Sequence, residues 1–288
     1  MTVIIIYSFM KEYIPGDVLR LILLLPPAHF SFMYALWWGN KGAFLCMFLI
    51  DAIIIARRHP YSAGFLLALA MSKPQIAGIV CLMFLLRGHY KALTTGAVID
   101  LALWFAASVI MKTSMLNLLS LCLNVGVNRK TQYLGVMAMI QYYGAGRNTA
   151  IIMSVVTGII YMLMLYVYFR KNIRSSRVLE FLAYVPACVA STVWMFKNGC
   201  DLLILVYPAA FAVIMCMWRG LSGKDFAALL VIIAFMMLSR CMVYFGIVII
   251  DSSDFFRDAY KCFESVMLMA AGVILCRMCV KNQKAFEF

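Results

Sequence analysis

The feature that most constrains this chain is a series of separate apolar runs. A helix of about 20 apolar residues crosses the roughly 30 Å hydrocarbon core of a bilayer. A helix also satisfies its backbone hydrogen bonds within its own segment, as a membrane requires. We therefore expect the runs to be membrane-spanning helices. Their approximate bounds, eight in all, are 18–37, 42–56, 93–111, 149–169, 178–196, 201–218, 226–250 and 262–280.

The composition agrees with a membrane protein. Apolar residues make up 65% of the 288 residues and charged residues only 13%. The net charge of +13 comes from small basic clusters between the apolar runs, such as "ARRHP" and "RKNIRSSR". Basic loops of this kind mark the cytoplasmic side of a membrane protein. We expect a single transmembrane domain over 1–288, with membrane lipid and no nucleic acid as a partner.

The apolar run 62–86 is interrupted at its middle by Lys73 and Pro74. Proline removes a backbone donor and disfavours helical geometry in the residue before it. Each arm has about 11 to 13 residues, which at about 1.5 Å per residue reach roughly half-way through a bilayer. The run therefore either crosses straight through or forms a re-entrant hairpin with its tip near Lys73.

Loop charge favours the hairpin. In that arrangement "ARRHP", "RGHYK" and the dense cluster "RKNIRSSR" all lie on the inner face. A straight crossing puts that cluster outside, against the positive-inside rule. Backbone groups freed at a tip within the membrane must be buried in protein or line a wet cavity, which is the geometry of a binding site.

The segment 112–148 is too polar in its middle to span as one helix. We expect it to form one or two short amphipathic helices at the outer interface. The predicted fold is all-α: a polytopic transmembrane helical bundle with a short re-entrant helical hairpin and an external amphipathic segment.

Lys73 is the strongest single site candidate, because an ionisable residue at membrane depth is costly unless it is paired or hydrated. Its ammonium suits a phosphate of a lipid-linked substrate. Two alternatives stay open: the side chain extends to the outer headgroups, or it pairs with a carboxylate such as Asp100.

Other candidates are less distinct. Gly39 and Asn40 close a short outer turn, which is either a substrate contact or simply a turn beside the interfacial residues Trp37 and Trp38. Arg240 lies within a span and is a second cation for a phosphate, unless it forms a buried ion pair, as Asp51 and Asp100 also could. A polar cluster in the external segment is either a phosphate and sugar contact or a solvated loop. Its members are Asn128, Arg129, Lys130, Thr131, Gln132 and Tyr133.

Metal and cofactor chemistry has little support. The three histidines are scattered, and Cys276 and Cys279 form a CxxC motif without a second pair. Most of the ten cysteines lie within apolar runs, where cysteine behaves as a small hydrophobic residue. We expect no metal site and no cofactor.

A series of local features between residues 18 and 93 resembles one known family. In order, they are a proline pair, a short turn, a basic inner loop, an Ala-Gly arm, a Lys-Pro break and the exit "FLLRGHYKAL". They lie at Pro26 and Pro27, Gly39 with Asn40, Arg57 and Arg58, Ala63 and Gly64, and Lys73 and Pro74. The chain resembles the C-type glycosyltransferases, and within them glycosyltransferase family 87, the polyprenyl-phosphate-mannose-dependent mannosyltransferases. Asn40 stands where that family usually has glutamine.

The resemblance implies an inverting transfer of a sugar, mannose in that family, from a polyprenyl-phosphate donor onto a glycan or glycolipid acceptor. The transfer would take place at the outer face of a bacterial-type plasma membrane, in the cell envelope. We hypothesise that Lys73, with Arg240, Arg129 and Lys130, holds the donor phosphate. The residues assigned to substrate binding are Gly39, Asn40, Asn128, Gln132 and Tyr133.

The resemblance also implies upstream helices, with an aspartate in their first external loop acting as general base. No residue of this chain corresponds to that aspartate, so its catalytic residues are unassigned. We therefore expect a fragment, a truncated product or half of a split enzyme. The alternatives are an inactive remnant, a small-solute transporter or lipid flippase, and a non-catalytic membrane subunit.

Overall fold

A computed structural model of the chain describes most of its backbone. The described residues are 11, 14–37, 39–118, 136–173, 176–194, 199–218, 220–249 and 254–286. Over these residues the secondary structure is helical, without strands. The predicted fold class, an all-α polytopic bundle, is confirmed.

Thirteen α-helices and two 3-10 helices are named here, in chain order. The α-helices are α1 (Gly16–Ala28), α2 (Phe30–Trp37), α3 (Gly42–Ile55), α4 (Pro60–Met71), α5 (Pro74–Leu86), α6 (Tyr90–Ile110), α7 (Val136–Tyr142), α8 (Arg147–Asn172), α9 (Ser176–Leu182), α10 (Tyr184–Val193), α11 (Val206–Cys216), α12 (Gly223–Ile249) and α13 (Asp254–Lys281). The 3-10 helices are Gly199–Leu205 and Gln283–Phe286.

Among the described residues, four helical stretches are long and apolar enough to cross a membrane. They are Gly16–Trp37, Tyr90–Ile110, Asn148–Asn172 and Cys262–Lys281. Three other apolar runs contain shorter helical stretches, namely Gly42–Ile55, Leu179–Val193 and Asp201–Cys216. The first of these has 14 residues, which span about 21 Å at 1.5 Å per residue. These three stretches are thus shorter than a straight crossing of a full bilayer requires.

The first apolar run forms two helices, because the chain breaks at His29 between α1 and α2. Pro26 and Pro27 lie in the last turn of α1. The Nδ1 atom of His29 accepts a hydrogen bond from the backbone N–H of Ser31 at 3.0 Å. The ring is therefore the tautomer that carries its proton on Nε2, which donates to the Met236 carbonyl at 3.1 Å. The break is thereby attached to α12.

The run 62–86 forms two helices, α4 of 12 residues and α5 of 13, on either side of Lys73. Arg57 precedes α4, and its guanidinium donates to Glu180 at 2.7 Å. His89 follows α5, and the charges of Arg57, Arg87 and Glu180 all act on its ring. The two distal ends of α4 and α5 thus lie together, with Lys73 at the opposite end. The chain reverses at Lys73, the arrangement that loop charge favours.

Helix α4 packs between α3 and α6, and small residues allow it to approach α6 closely. A Cβ atom on Gly64 would lie 2.6 Å from the Ala92 carbonyl oxygen and 2.6 Å from the Cβ of Thr95. Real Cβ atoms do not approach other atoms so closely, so a larger residue would separate the two helices. Close backbone approach through small residues is a common way of packing helices in membranes.

Helix α10 lies at the centre of the bundle, and all its residues from Tyr184 to Val193 are buried. It packs against α5, α8, α13 and the 3-10 helix Gly199–Leu205. The 3-10 helix also packs against α2 and α3, which places Asp201 at the Lys73 end of the bundle.

Candidate functional site

Lys73 lies at the break between α4 and α5, as its neighbours require. Pro74 is the first residue of α5, and Lys73 before it has a non-helical backbone, with φ −128° and ψ 80°. A residue before proline is disfavoured in the helical region, so the break follows directly from the Lys-Pro dipeptide. The side chain of Lys73 is only 12% exposed. Its ammonium must therefore find partners within the protein or a ligand.

Asp201 is the main partner of Lys73. The Nζ atom of Lys73 lies 2.8 Å from Oδ1 of Asp201, whose side chain is 1% exposed. The Sγ–H of Cys46 on α3 donates to the backbone carbonyl of Asp201 at 3.4 Å, which attaches the 3-10 helix to α3. An ion pair this deeply buried repays the cost of removing its charges from water only when both charges are well hydrogen-bonded.

Asn40 is the second partner, and the turn between α2 and α3 positions it. The N–H groups of Gly39 and Asn40 donate to the carbonyls of Leu36 and Ala35 at 3.3 and 2.9 Å, which is the hydrogen-bond pattern of a Schellman motif. Gly39 has a φ of +59°, a conformation that glycine adopts without steric cost. The Oδ1 atom of Asn40 accepts from Lys73 at 3.3 Å and from the backbone N–H of Gly42 at 2.8 Å.

Gly42 provides the space in which these three side chains meet. A Cβ atom on Gly42 would collide with Oδ1 of Asp201 and would lie 2.9 Å from Nζ of Lys73 and 3.1 Å from Oδ1 of Asn40. A side chain at residue 42 would displace the polar groups, so the site depends on the absence of one.

Trp194 holds the start of α5 in place. Its indole N–H donates to the Gln75 carbonyl at 2.7 Å, two residues beyond Lys73. A Cβ atom on Gly78, one turn further along α5, would lie 3.2 Å from the indole ring. The Trp194 side chain therefore fixes the position of the helix whose first turn follows Lys73.

The arrangement leaves one donor of Lys73 available. An ammonium has three N–H donors and no acceptor. Within the part of the chain that the structure describes, two acceptors are within hydrogen-bond reach of Nζ, namely Asp201 and Asn40. The third N–H can donate to a ligand oxygen. Over the described residues, the site thus offers a nearly buried cation, held by two hydrogen bonds, with one N–H left for a ligand.

The structure brings some of the predicted site residues together. Lys73 and Asn40 are in contact, and Gly39 shapes the turn that carries Asn40. Arg240 lies on α12, but its side chain is outside the described part of the structure. Asn128, Arg129, Lys130, Gln132 and Tyr133 also lie outside the described residues.

Sequence reasoning does not identify Asp201 as a site residue. It names Asp100 as an example of a carboxylate partner for Lys73. Asp100 lies on α6 and is not that partner. A signal was available, because Asp201 is the first residue of the apolar run 201–218 and follows the short polar turn "KNGC". A carboxylate at the end of a span that is predicted to face outwards lies at the level expected for the tip of the hairpin.

Comparison with protein families identifies the chain. No curated protein and no solved structure matches it significantly. The family model of glycosyltransferase family 87 matches residues 15–196, which is more than half of the chain and includes Asn40, Lys73 and Trp194. Together with four apolar helices of membrane-spanning length, this match shows that the chain is a membrane protein that belongs to glycosyltransferase family 87.

Proposed function

We propose that the protein takes part in transferring mannose from a polyprenyl-phosphate carrier to a glycan or glycolipid acceptor. The reaction would take place at the outer face of a bacterial-type plasma membrane. The family supports a glycosyltransferase that uses a sugar donor, an acceptor and membrane lipid. The lipid-phosphate part of the proposal is supported by one observation: a nearly buried ammonium at a helix break, with one N–H that has no acceptor among the described residues.

Lys73 is the proposed contact to the donor phosphate. When the sugar leaves the donor, negative charge develops on the leaving phosphate. A cation that is fixed before the reaction stabilises that charge without reorganising, and it acts most strongly where water is excluded. The two hydrogen bonds of Lys73 fix its ammonium before the reaction. Its side chain is only 12% exposed, so most water is excluded from the ammonium.

Other cations can add to this contact. Arg240 on α12 and the pair Arg129 and Lys130 remain part of the proposal as further phosphate ligands, and Gly39, Asn128, Gln132 and Tyr133 as contacts to the sugar or the acceptor. The carboxylate of Asp201 is 1% exposed and is in contact with the ammonium of Lys73. We assign it no proton transfer.

The test compares Lys73→Met with the double variant Lys73→Met/Asp201→Asn. The single change leaves a buried carboxylate without its cation, which is expected to lower the free energy of unfolding by about 3–5 kcal/mol. The double change removes both charges and should restore most of that stability. Sugar transfer from polyprenyl-phosphate-mannose should fall by about 100-fold or more in both variants, because the phosphate contact is lost in both.

Transfer and thermal unfolding are measured on the same detergent-solubilised preparations, together with donor affinity. A purely structural ion pair predicts that the double variant regains transfer along with stability. That outcome, or transfer with unchanged donor affinity in the double variant, would rule out the phosphate role of Lys73. Lys73→Arg keeps the charge but replaces the ammonium with a larger, planar guanidinium, so it tests whether a positive charge alone is sufficient.

A further inference from the structure

We propose that Asp201 is a positioning residue that also limits how tightly Lys73 holds the lipid phosphate, so that the product can leave. The inference rests on the proposed phosphate role of Lys73. It concerns a residue outside the region 15–196 that the family model matches.

The positioning part follows from the contacts. A lysine side chain is a flexible four-carbon stem, and at a helix break nothing in the local backbone selects one rotamer. The carboxylate of Asp201 at 2.8 Å and the amide oxygen of Asn40 at 3.3 Å direct two of the three N–H groups. The third N–H is thereby given a direction before any ligand binds.

The limit on phosphate binding follows from the change in charge of the phosphate during the reaction. In the transfer, the bond between the sugar C1 and the phosphate oxygen breaks, and its electron pair stays on that oxygen. A bond then joins C1 to the acceptor oxygen, whose proton passes to a base. The phosphate changes from a diester with one negative charge to a monoester with about 1.5 to 2 at pH 7. A lone cation in a site of low dielectric would hold this product more strongly than the donor.

Asp201 reduces this stronger binding of the product phosphate. Its carboxylate is in direct contact with the ammonium, so a phosphate bound to the third N–H lies within a few ångströms of a second negative charge. The ion pair is neutral as a whole, and the ammonium is shared between two anions while the product is bound. Asn40 provides the same hydrogen bond to Lys73 without charge.

The difference between Asn40 and Asp201 suggests a pair of variants with opposite expected effects. Asp201→Asn removes the carboxylate and keeps an acceptor, so farnesyl phosphate should bind about tenfold more tightly. Asn40→Asp adds a carboxylate and keeps both hydrogen bonds that Oδ1 of Asn40 accepts, so the same ligand should bind about tenfold more weakly. Binding is measured by calorimetry on the full chain in lipid nanodiscs at pH 7.5, with farnesol, which lacks the phosphate, as the control ligand.

Each outcome has a distinct meaning. Shifts in opposite directions for farnesyl phosphate, with unchanged farnesol binding, support the proposal. Shifts in the same direction, or no shift, overturn it. If Asp201→Asn does not fold, Asn40→Asp still tests the charge effect. The double variant Lys73→Met/Asp201→Asn separates the two proposals. If it binds farnesyl phosphate as tightly as the original chain, the proposed function itself is contradicted. If it binds farnesyl phosphate more weakly, but Asp201→Asn and Asn40→Asp do not shift the affinity in opposite directions, only the role of Asp201 is contradicted.

Discussion

At the scale of single residues, the candidate site is made by three polar side chains from three separate elements. Asn40 comes from the turn before α3, Lys73 from the break before α5 and Asp201 from a 3-10 helix. All three side chains are at least partly buried, and they meet at Gly42, which has no side chain. The site therefore depends on one small residue as much as on its charged ones.

Gly42→Ala tests this dependence. The added methyl group would collide with the carboxylate of Asp201 and crowd the Lys73 ammonium, so the polar groups must move apart. We expect a loss of about 1–3 kcal/mol in unfolding free energy, which is typical of overpacking. Sugar transfer should fall by at least about tenfold, since a misplacement of 1 Å can cost more than that.

Gly16→Ala is the matched control, because a Cβ atom on Gly16 meets no other atom within 4 Å. It should leave both the unfolding free energy and the rate of transfer close to those of the original chain. If Gly42→Ala behaved in the same way as Gly16→Ala, the three side chains would not need their observed spacing.

The sequence predicted the members of the site that have a local signature. Lys73 is marked by Pro74, and Asn40 by the glycine and tryptophans beside it. The contact between these two joins residues 33 positions apart, and the contact with Asp201 joins residues 128 apart. Such pairings arise from tertiary packing and leave no periodic pattern, so the sequence signal for Asp201 was only its position at the end of an apolar run.

At the scale of the helices, loop charge and the Lys-Pro pair predicted that the chain reverses at Lys73. The lengths of the apolar runs did not predict where each helix begins and ends. Arg57 and Arg87 belong to the loops that loop charge assigns to one face, and both act on His89 in the folded chain. The break between α1 and α2 was not predicted. It depends on a hydrogen bond from His29 to Met236, 207 residues away, as well as on the proline pair.

Helix α6 carries an unusual carboxylate. Only 11% of the apolar stretch of this helix is buried within the protein, and Asp100 lies near the middle of the helix. Among the residues that the structure describes, no hydrogen bond or ion pair reaches this carboxylate. An aspartate at the centre of a membrane helix costs about 3 kcal/mol, whereas leucine is favourable there. If unfolding transfers α6 from the apolar phase to water, Asp100→Leu raises the free energy of unfolding by about 1–3 kcal/mol.

The measurement is thermal or denaturant unfolding in detergent micelles and in nanodiscs. Ala102→Leu is the control, because it adds the same side chain to an exposed position of α6 and removes no charge. It should change stability by no more than about 0.5 kcal/mol. A loss of stability in Asp100→Leu would show that the carboxylate has a partner in the folded protein.

At the scale of the whole molecule, the site joins two regions of the chain. The family model covers α1 to α10 and ends at residue 196, whereas Asp201 lies just beyond it. The 3-10 helix that carries Asp201 is held against α2 and α3, which belong to the matched region. The ion pair between Lys73 and Asp201 thus ties the later helices to the earlier ones at the end where the proposed donor binds.

The orientation of the whole bundle gives the last prediction. Single cysteines are introduced at Lys41, Arg58 and Lys91, all exposed, in a background whose ten native cysteines are replaced. Lys41 lies next to the Asn40 turn, whereas Arg58 and Lys91 lie beside the opposite ends of α4 and α5. Because basic loops stay inside, an impermeant thiol reagent should label only Lys41→Cys in intact cells, and all three after permeabilisation. Labelling of Arg58→Cys and Lys91→Cys from opposite sides would contradict a hairpin whose tip, with Lys73, faces outwards.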